Sequence, residues 1–522
     1  MPGRFVVQWD KEDCANMGIV KVDLLGLGMM AVMKESIGLI RDHYGEEVDL
    51  AHLPPDDPQV YAALQRADTV GMFQVESRAQ MSFLPRMHPK TFYDIVVQVA
   101  IIRPGPIAGD MVHPYLKRRQ KREKVDYAHP ALQPVLERTL GVPLFQEQLL
   151  SMAIIAAGFT GGEGEELRRA FGFKRSEKRM KEIEVKLRAG MARNGIDAAA
   201  QNRIVRSITS FALYGFPESH AISFALIAYA SAYLKCHYLA AFTAAMLNNQ
   251  PMGFYNPATL VKDAQRHGLK IKPIDVTASD WPCTLDALTL RVGLCYARGL
   301  RKSAGEALVH ERARGTFVSV EDLARRVPEL QKSELVLLAE IGALNFLNPE
   351  NRMHRRDALW QVERAARPSG PLLESIEEGN DVSPLRMMST EERIVADFNG
   401  TGMTVGPHPM HYCREQMQAM GVTRAIDLAR VRNGKTVRIA GCVIARQRPS
   451  TANGFVFLSL EDETGIANAI LTPDIFKSNR QTIIDGRFLL LDGRLQNIDK
   501  VVSVKVSAAR VIDVTAAMAV SH

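Results

Sequence analysis

The chain has 522 residues, 46% hydrophobic and 24% charged, which excludes a disordered or fibrous protein and is too long for a single domain, so two to four domains are expected. With 65 Lys and Arg against 58 Asp and Glu, the net charge of +7 is compatible with a polyanionic partner without showing one. The six scattered cysteines include no C-x-x-C pair, which excludes a zinc-chelating pair or a dense disulfide framework, and no signal peptide or bilayer-length apolar run is present, so a soluble, cytoplasmic protein is expected.

In chain order, Phe5-Val6-Val7 and Ile19 to Leu25 read as extended pieces ahead of Gly26 and Gly28, strand followed by turn. Asp23, at that strand end, can hold a divalent ion, and Lys21 on the other side of the pleat can neutralise phosphate; taken alone, an Asp there is more often a turn-capping residue. From about Met29 to Tyr255 the apolar spacing is helical, over Met29 to His43, Leu149 to Ala157, Gly164 to Phe171, Glu177 to Asn194, Ala198 to Tyr214 and His220 to His237. Lys117 to Lys124 is the densest basic stretch and contains Lys117, Arg118, Arg119, Lys121 and Arg122; it suits contact with a nucleic-acid backbone, or equally a solvated face.

The glycine-rich entry from Thr160 leads to Arg168, Arg169, Lys174 and Arg175, four cations that suit a triphosphate through bidentate guanidinium contacts; a solvated helix face paired with Glu165 and Glu166 is the alternative. Tyr214 to Ala221 opens a strongly apolar helix, with Ser219 read as its N-cap and His220 in the first turn, where backbone N–H groups converge on an anion; a capped helix with an exposed histidine is the plainer reading. Residues 290 to 345 offer two short helix pairs around Gly299 and Gly342, and 346 to 430 reads as a tether with short helices.

The last segment changes to short alternating strands at Val437 to Arg446, Phe455 to Leu460, Ile466 to Leu471, Phe488 to Leu491 and Val501 to Val506, with Asn-Gly, Thr-Gly and Asp-Gly turns. A helix opened by Thr472 and Pro473 falls between the third and fourth strands. Three strands, a helix and two strands make the order of an OB-fold barrel. Phe455 and Phe457 are read as sharing one strand face, with Arg446 and Arg448 nearby, a stacking-plus-charge set for single-stranded DNA; one of two such rings is as readily core. The fold class is therefore multidomain and mainly α, with a C-terminal β-barrel.

Taken together and in order, Gln8-Trp9-Asp10-Lys11, Lys21 to Leu27, Gly71-Met72-Phe73-Gln74-Val75-Glu76-Ser77, Arg103-Pro104-Gly105-Pro106, Phe145-Gln146-Glu147-Gln148, Leu167-Arg168-Arg169-Ala170 and Tyr214-Gly215-Phe216 through Ser219-His220 resemble the bacterial C-family DNA polymerase alpha subunit, most like its error-prone, damage-induced branch. The resemblance implies a C-terminal piece of palm at 1–28, α-helical fingers at 29–284, a helix-hairpin-helix region at 285–350, a tether at 351–431, an OB-fold at 432–514 and a tail at 515–522. It implies that Asp23 is the last of three palm aspartates holding two Mg2+ ions and that Lys21 is the basic residue of that strand. Arg168, Arg169 and Lys174 would face the incoming dNTP, and His220 would screen its sugar 2′ position.

Primer-template DNA, single-stranded DNA at the OB-fold and dNTP are the implied ligands. Accessory mutagenesis proteins, a sliding clamp reached through an adaptor and a separate N-terminal polymerase half are the implied protein partners. Because the family's first two palm aspartates precede the strand of Asp23, the isolated chain is expected to be inactive, as a gene fragment, the second half of a split polymerase or an excised piece. Arg301 stands where a second hairpin glycine would admit phosphate, a departure from the hairpin pattern. The rival readings are a non-catalytic DNA-binding scaffold using the barrel and basic helices, and an RNA-handling OB protein, which leaves the fingers-like motifs unexplained.

Overall fold

The computed structural model describes residues 14, 17–19, 24–102, 108–172, 177–212, 216–347, 353–365, 383–449 and 452–514; for 108–113, 165, 168–172, 177–180 and 209–212 it describes the backbone alone. The expected strands before Gly26 lie mostly outside these residues.

The helical part is organised around one helix, Glu218–His237. Ala221, Ala225, Ala228 and Ala232, at spacings of four, three and four, form a stripe on which each residue is at most 2% exposed. Small side chains let neighbours approach closely, and the helices Phe92–Ile101, Pro58–Gln65 and Leu27–Tyr44 pack around this one. The strongly apolar helix read from the sequence is thus the centre of a helical core, and among the described residues no helix is long and apolar enough to cross a membrane. A second core forms where Gln146–Ala157, Glu177–Arg193 and Ala198–Ala212 meet. There Gly190 abuts Ala157 so closely that a methyl group would overlap the Ala157 backbone.

Several elements go beyond the sequence reading. Helices form at Arg78–Met87 and Ala108–Arg119 despite internal Pro85 and Pro114. A three-stranded sheet joins β1 (Ile271–Lys272), β2 (Thr284–Asp286) and β3 (Thr289–Arg291), in the order β1-β3-β2. Beside it lie the helices Lys302–Arg314, Val320–Arg326 and Lys332–Glu340, with Gly299 and Gly342 both at positive φ, as the hairpin reading requires. Residues 389–417, between hairpins and barrel, are packed: Thr390–Thr401 carries a capping box from Ser389 and Glu392, and Met403, Met410, Cys413 and Met417 are buried.

The five C-terminal strands are β4 (Thr436–Gln447), β5 (Val456–Asp462), β6 (Gly465–Leu471), β7 (Phe488–Ile498) and β8 (Val501–Val511). They close a barrel in the order β4-β5-β6-β8-β7, with β6 and β8 parallel and β7 returning to β4, the connectivity of an OB-fold. Asn453-Gly454 makes a tight turn with both residues at positive φ, as expected. Asp492-Gly493, by contrast, lies inside β7 at a register shift, and the β7–β8 turn is Asp499-Lys500, again with both φ positive. The helix expected between the third and fourth strands is two short ones, Pro473–Ser478 and Arg480–Asp485, the first with Thr472 at its N-cap position.

Candidate nucleic-acid interface

Asp23, Lys21 and Lys174 lie outside the described residues, as does Arg103-Pro104-Gly105-Pro106. Arg168 and Arg169 fall on the helix Gly161–Gly172, whose start is a reciprocal cap. The Thr160 N–H donates to Glu163 Oε2 at 2.8 Å, and the Glu163 N–H donates to Thr160 Oγ1 at 3.3 Å. Those bonds and Lys186, at 2.9 Å, hold the Glu163 carboxyl down to about 2.

The helix bearing His220 begins two residues earlier than the sequence reading placed it. Pro217, with its ring-fixed φ of −64°, occupies the N-cap position, so Ser219 lies inside the first turn and is not the cap. The orphan N–H of Glu218 is satisfied from another element, donating to Glu147 Oε2 at 2.9 Å. Other residues of that Glu147 motif hold the same corner: Phe145 is fully buried and bridges to Phe216, while Gln148 Oε1 accepts from the Leu144 and Phe145 N–H groups. His220 stays in the first turn, its ring between Phe216 at 5.0 Å and Phe224 at 4.2 Å. Beside it, Tyr93 Oη donates to Glu218 at 2.8 Å, and the Arg138 guanidinium lies 3.8 Å over the Tyr93 ring.

The basic run divides by role. Arg118 donates to the Leu140 carbonyl at 2.7 Å and pairs with Glu123 at 3.1 Å, and Arg119 pairs with the buried Asp94 at 2.7 Å. Arg122 reaches the barrel, pairing with Asp499 of the β7–β8 turn at 2.6 Å. Lys117, Lys121 and Lys124 are exposed, with Lys121 at positive φ where the helix ends. Three of the six cations therefore carry internal bonds, and three lysines face water.

The barrel residues are also separated. Arg446 donates from Nε to the Ile483 carbonyl at 2.8 Å and from Nη2 to Gly486, closing the C-terminal end of the Arg480–Asp485 helix. Arg448 lies 5.3 Å over the Phe476 ring. Phe455 precedes β5, whereas Phe457 sits within it opposite Gln447 and Ile470. The Phe457 ring is covered at 4.3 Å by Arg78, a residue of the helical body.

Arg78, Arg66, Arg266 and Lys500 line a cleft of about 740 Å3 between the helical body and the barrel, and the sequence reading missed all four. One signal was present for Arg78. It occupies the first position of its helix, where the macrodipole disfavours a cation, directly after the Glu76-Ser77 of a quoted motif. Glu76 itself is pushed up to about 7 by burial, although its carboxylate accepts from the Gly71 and Phe254 N–H groups at 2.9 and 2.8 Å.

In the hairpin region, Arg301 is held by Glu334. Its backbone N–H and Nε donate to Oε1 at 2.9 and 3.0 Å, and its Nη2 donates to Oε2 at 2.9 Å. The backbone N–H that a glycine would have freed for phosphate already has a carboxylate.

Among the described residues, Asp68, Asp263 and His267 form the group with metal-like spacing. It does not fit a divalent ion. The Lys235 ammonium lies 2.7 Å from Asp263 and 3.8 Å from Asp68, His267 Nε2 lies 2.7 Å from Asp68, and Arg266 adds a third cation at 3.8 Å. The carboxylates are already neutralised, which raises the His267 pKa through its bond to Asp68.

Comparison with known proteins places these features in context. Residues 29–195 match the family profile described as the bacterial DNA polymerase III alpha subunit finger domain, and residues 268–355 match a helix-hairpin-helix motif. The chain is 46% identical to an error-prone DNA polymerase of Anaeromyxobacter dehalogenans over 97% of its own length and 46% of the relative's. It is 44% identical to those of Methylococcus capsulatus and Pseudomonas fluorescens, each over 95% of this chain and 49% and 48% of the relatives. The chain thus spans about half the length of the curated relatives it matches. An asparaginyl-tRNA synthetase structure from Pyrococcus horikoshii aligns to 15% of the chain at 26% identity with a TM-score of 0.13, which carries no argument.

Proposed function

The chain is homologous to the bacterial error-prone DNA polymerases of the polymerase III alpha kind, and on that premise we propose that it works in DNA-directed nucleotidyl transfer, binding primer-template DNA and incoming dNTP. The observation that carries this is similarity along 97% of the chain, with the fingers profile running through Arg168 and Arg169. The relatives' name supports error-prone synthesis, and we read synthesis across damaged template as the setting; a cytoplasmic location belongs to the same proposal.

In this reading the guanidinium groups of Arg168 and Arg169, with Lys174, bind the triphosphate oxygens in pairs and hold the α-phosphate for in-line attack by a primer 3′-hydroxyl. They supply position and charge, not covalent chemistry. Two Mg2+ ions, when bound at Asp23 and further carboxylates, supply stabilisation of the attacking and leaving oxygens. His220 crowds the sugar 2′ position, held there by Phe216 and Phe224. Lys117, Lys121 and Lys124 meet the duplex backbone through counterion release, with Arg118, Arg119 and Arg122 fixing the segment that presents them. Recruitment by accessory mutagenesis proteins, or by a clamp through an adaptor, belongs to the same proposal.

The test is primer extension by a polymerase that combines this chain with the family's other metal-binding carboxylates. Arg168→Ala and Arg169→Ala should each lower kcat/KM for dNTP by an amount equivalent to about 1–3 kcal/mol, the range for charged hydrogen bonds, and Asp23→Ala should abolish extension. Unchanged kinetics in both arginine variants would remove them from the triphosphate site.

A further inference from the structure

Arg78 is a cation held by an aromatic ring and not by an acid among the described residues. Its Nη1 is buried without a hydrogen-bond partner, and among the described residues no carboxylate pairs with it. The ring of Phe457 is what it touches. A guanidinium withdrawn from water with no acid beside it is costly, and burial pulls its pKa down to about 10. Such a group persists where an anion repays the cost.

The surroundings point to the same ligand chemistry. The cleft that Arg78 lines has one wall from the helical body, with Arg66, Tyr255 and Arg266, and one from the barrel, with Phe457, Asn468, Lys500 and Ser503. The two acids lining it, Asp68 and Asp263, are already neutralised by Lys235, His267 and Arg266, so the net field is positive. The guanidinium stacked on a ring leaves a second flat face for a nucleobase, while its N–H edge suits a phosphate oxygen. Asn468 and Ser503 add hydrogen-bonding groups on the barrel wall.

We propose that this cleft is a composite site for single-stranded nucleic acid, in which Arg78 takes a backbone phosphate and the Arg78–Phe457 stack takes an adjacent base. The inference deepens the DNA-directed reading above and rests on it. It moves the single-strand site from Arg446 and Arg448, whose guanidinium groups are engaged elsewhere on the barrel, to a surface that exists only when barrel and helical body are docked. That docking is made by Arg122 with Asp499 and by Arg266 with Glu461.

The experiment is fluorescence anisotropy with labelled oligothymidylate and the full chain between 50 and 200 mM salt, beside a primer-template duplex and a pyrophosphate competitor, for the parent, Arg78→Met, Arg78→Lys and Phe457→Leu. The expected result is roughly tenfold weaker single-strand binding for Arg78→Met and Phe457→Leu, a smaller loss for Arg78→Lys, and a salt slope shallower by about one for Arg78→Met. Arg78→Met should melt no lower than the parent, because it removes an uncompensated buried charge, whereas a structural arginine would lose stability on the same change. Single-strand affinity unchanged in Arg78→Met and Phe457→Leu, binding lost only in step with melting temperature, or displacement by pyrophosphate as effectively as by unlabelled strand would overturn the proposal. A parent that binds duplex but not single strand overturns it alone. A parent that binds neither overturns the DNA-directed reading as well.

Discussion

Glu334 offers the most direct check on how the hairpin region is held. Its carboxylate accepts four N–H groups: the backbone and Nε of Arg301 on Oε1, and the Gln331 backbone and Arg301 Nη2 on Oε2. Two of these donors are backbone groups at the starts of the helices Lys302–Arg314 and Lys332–Glu340, which Glu334→Ala would leave without an acceptor. The Arg301 side chain is 47% exposed, so its two bonds count at the low value of a solvent-screened pair, and the backbone donors carry most of the effect. Together the loss should be about 3 kcal/mol, with Glu334→Gln costing roughly half, since one acceptor oxygen remains.

Hydrogen exchange read over those two helices is the fitting assay, because it reports local opening in a multidomain chain where one global melting point is ill defined. A 3 kcal/mol loss predicts protection falling roughly 150-fold there and little at β4 to β8. Arg301 and the Gln331 N–H hold the Glu334 carboxyl down to about 2. A depressed carboxyl stabilises fully above its unfolded value of 4.5 and loses that stabilisation as pH falls toward 2, so protection in the parent should be flat from pH 7 to 5. A change below threefold for Glu334→Ala, or a loss spread evenly over the chain, would refute the reasoning.

Burial pushes the Glu461 carboxyl up to about 7 in spite of Arg266 at 2.8 Å. A raised carboxyl stabilises below its unfolded value of 4.5 and loses that contribution as pH rises through about 7, by up to roughly 3 kcal/mol. Glu76 and His267 are shifted in the same direction, so melting curves between pH 5 and 7 should show the parent less stable at the higher pH and Glu461→Gln with a slope smaller by up to about one proton in that window. Gly190→Ala should destabilise by about 2–3 kcal/mol in denaturant melts, since the new methyl meets backbone that cannot yield, outweighing the helix-propensity gain; a neutral or stabilising result would mean the Gly190–Ala157 crossing is looser than described. In the completed polymerase, His220→Ala should raise ribonucleotide incorporation more than it lowers deoxynucleotide incorporation, and parallel loss of both would reduce His220 to packing between Phe216 and Phe224.

Local patterns carry much of this protein. The three- and four-residue spacing of the Glu218–His237 helix, the alternation of the barrel strands, the Asn453-Gly454 turn and the Thr472-Pro473 helix start are each written within a few neighbouring residues, because helix and strand periodicity and turn dihedrals are short-range constraints. The ordered motifs are legible in the same way and carry the likeness to the error-prone DNA polymerases. What a residue does with its charge was not legible. Arg118, Arg119, Arg122 and Arg446 look in the sequence like cations offered to DNA, yet each is bound to a carbonyl or carboxylate from a distant part of the chain. Arg301 looked like a defect in a hairpin until Glu334, from the next helix pair, supplied its acceptor. Ser219 lost the cap position because Glu147 reaches the Glu218 N–H from another helix. The pairing of Arg78 with Phe457 has no local signature on either side, since it depends on how the closed barrel docks against the helical body. Hydrogen bonds and ion pairs are satisfied by whichever group the fold brings within 3 Å, and that proximity is a property of the tertiary structure alone.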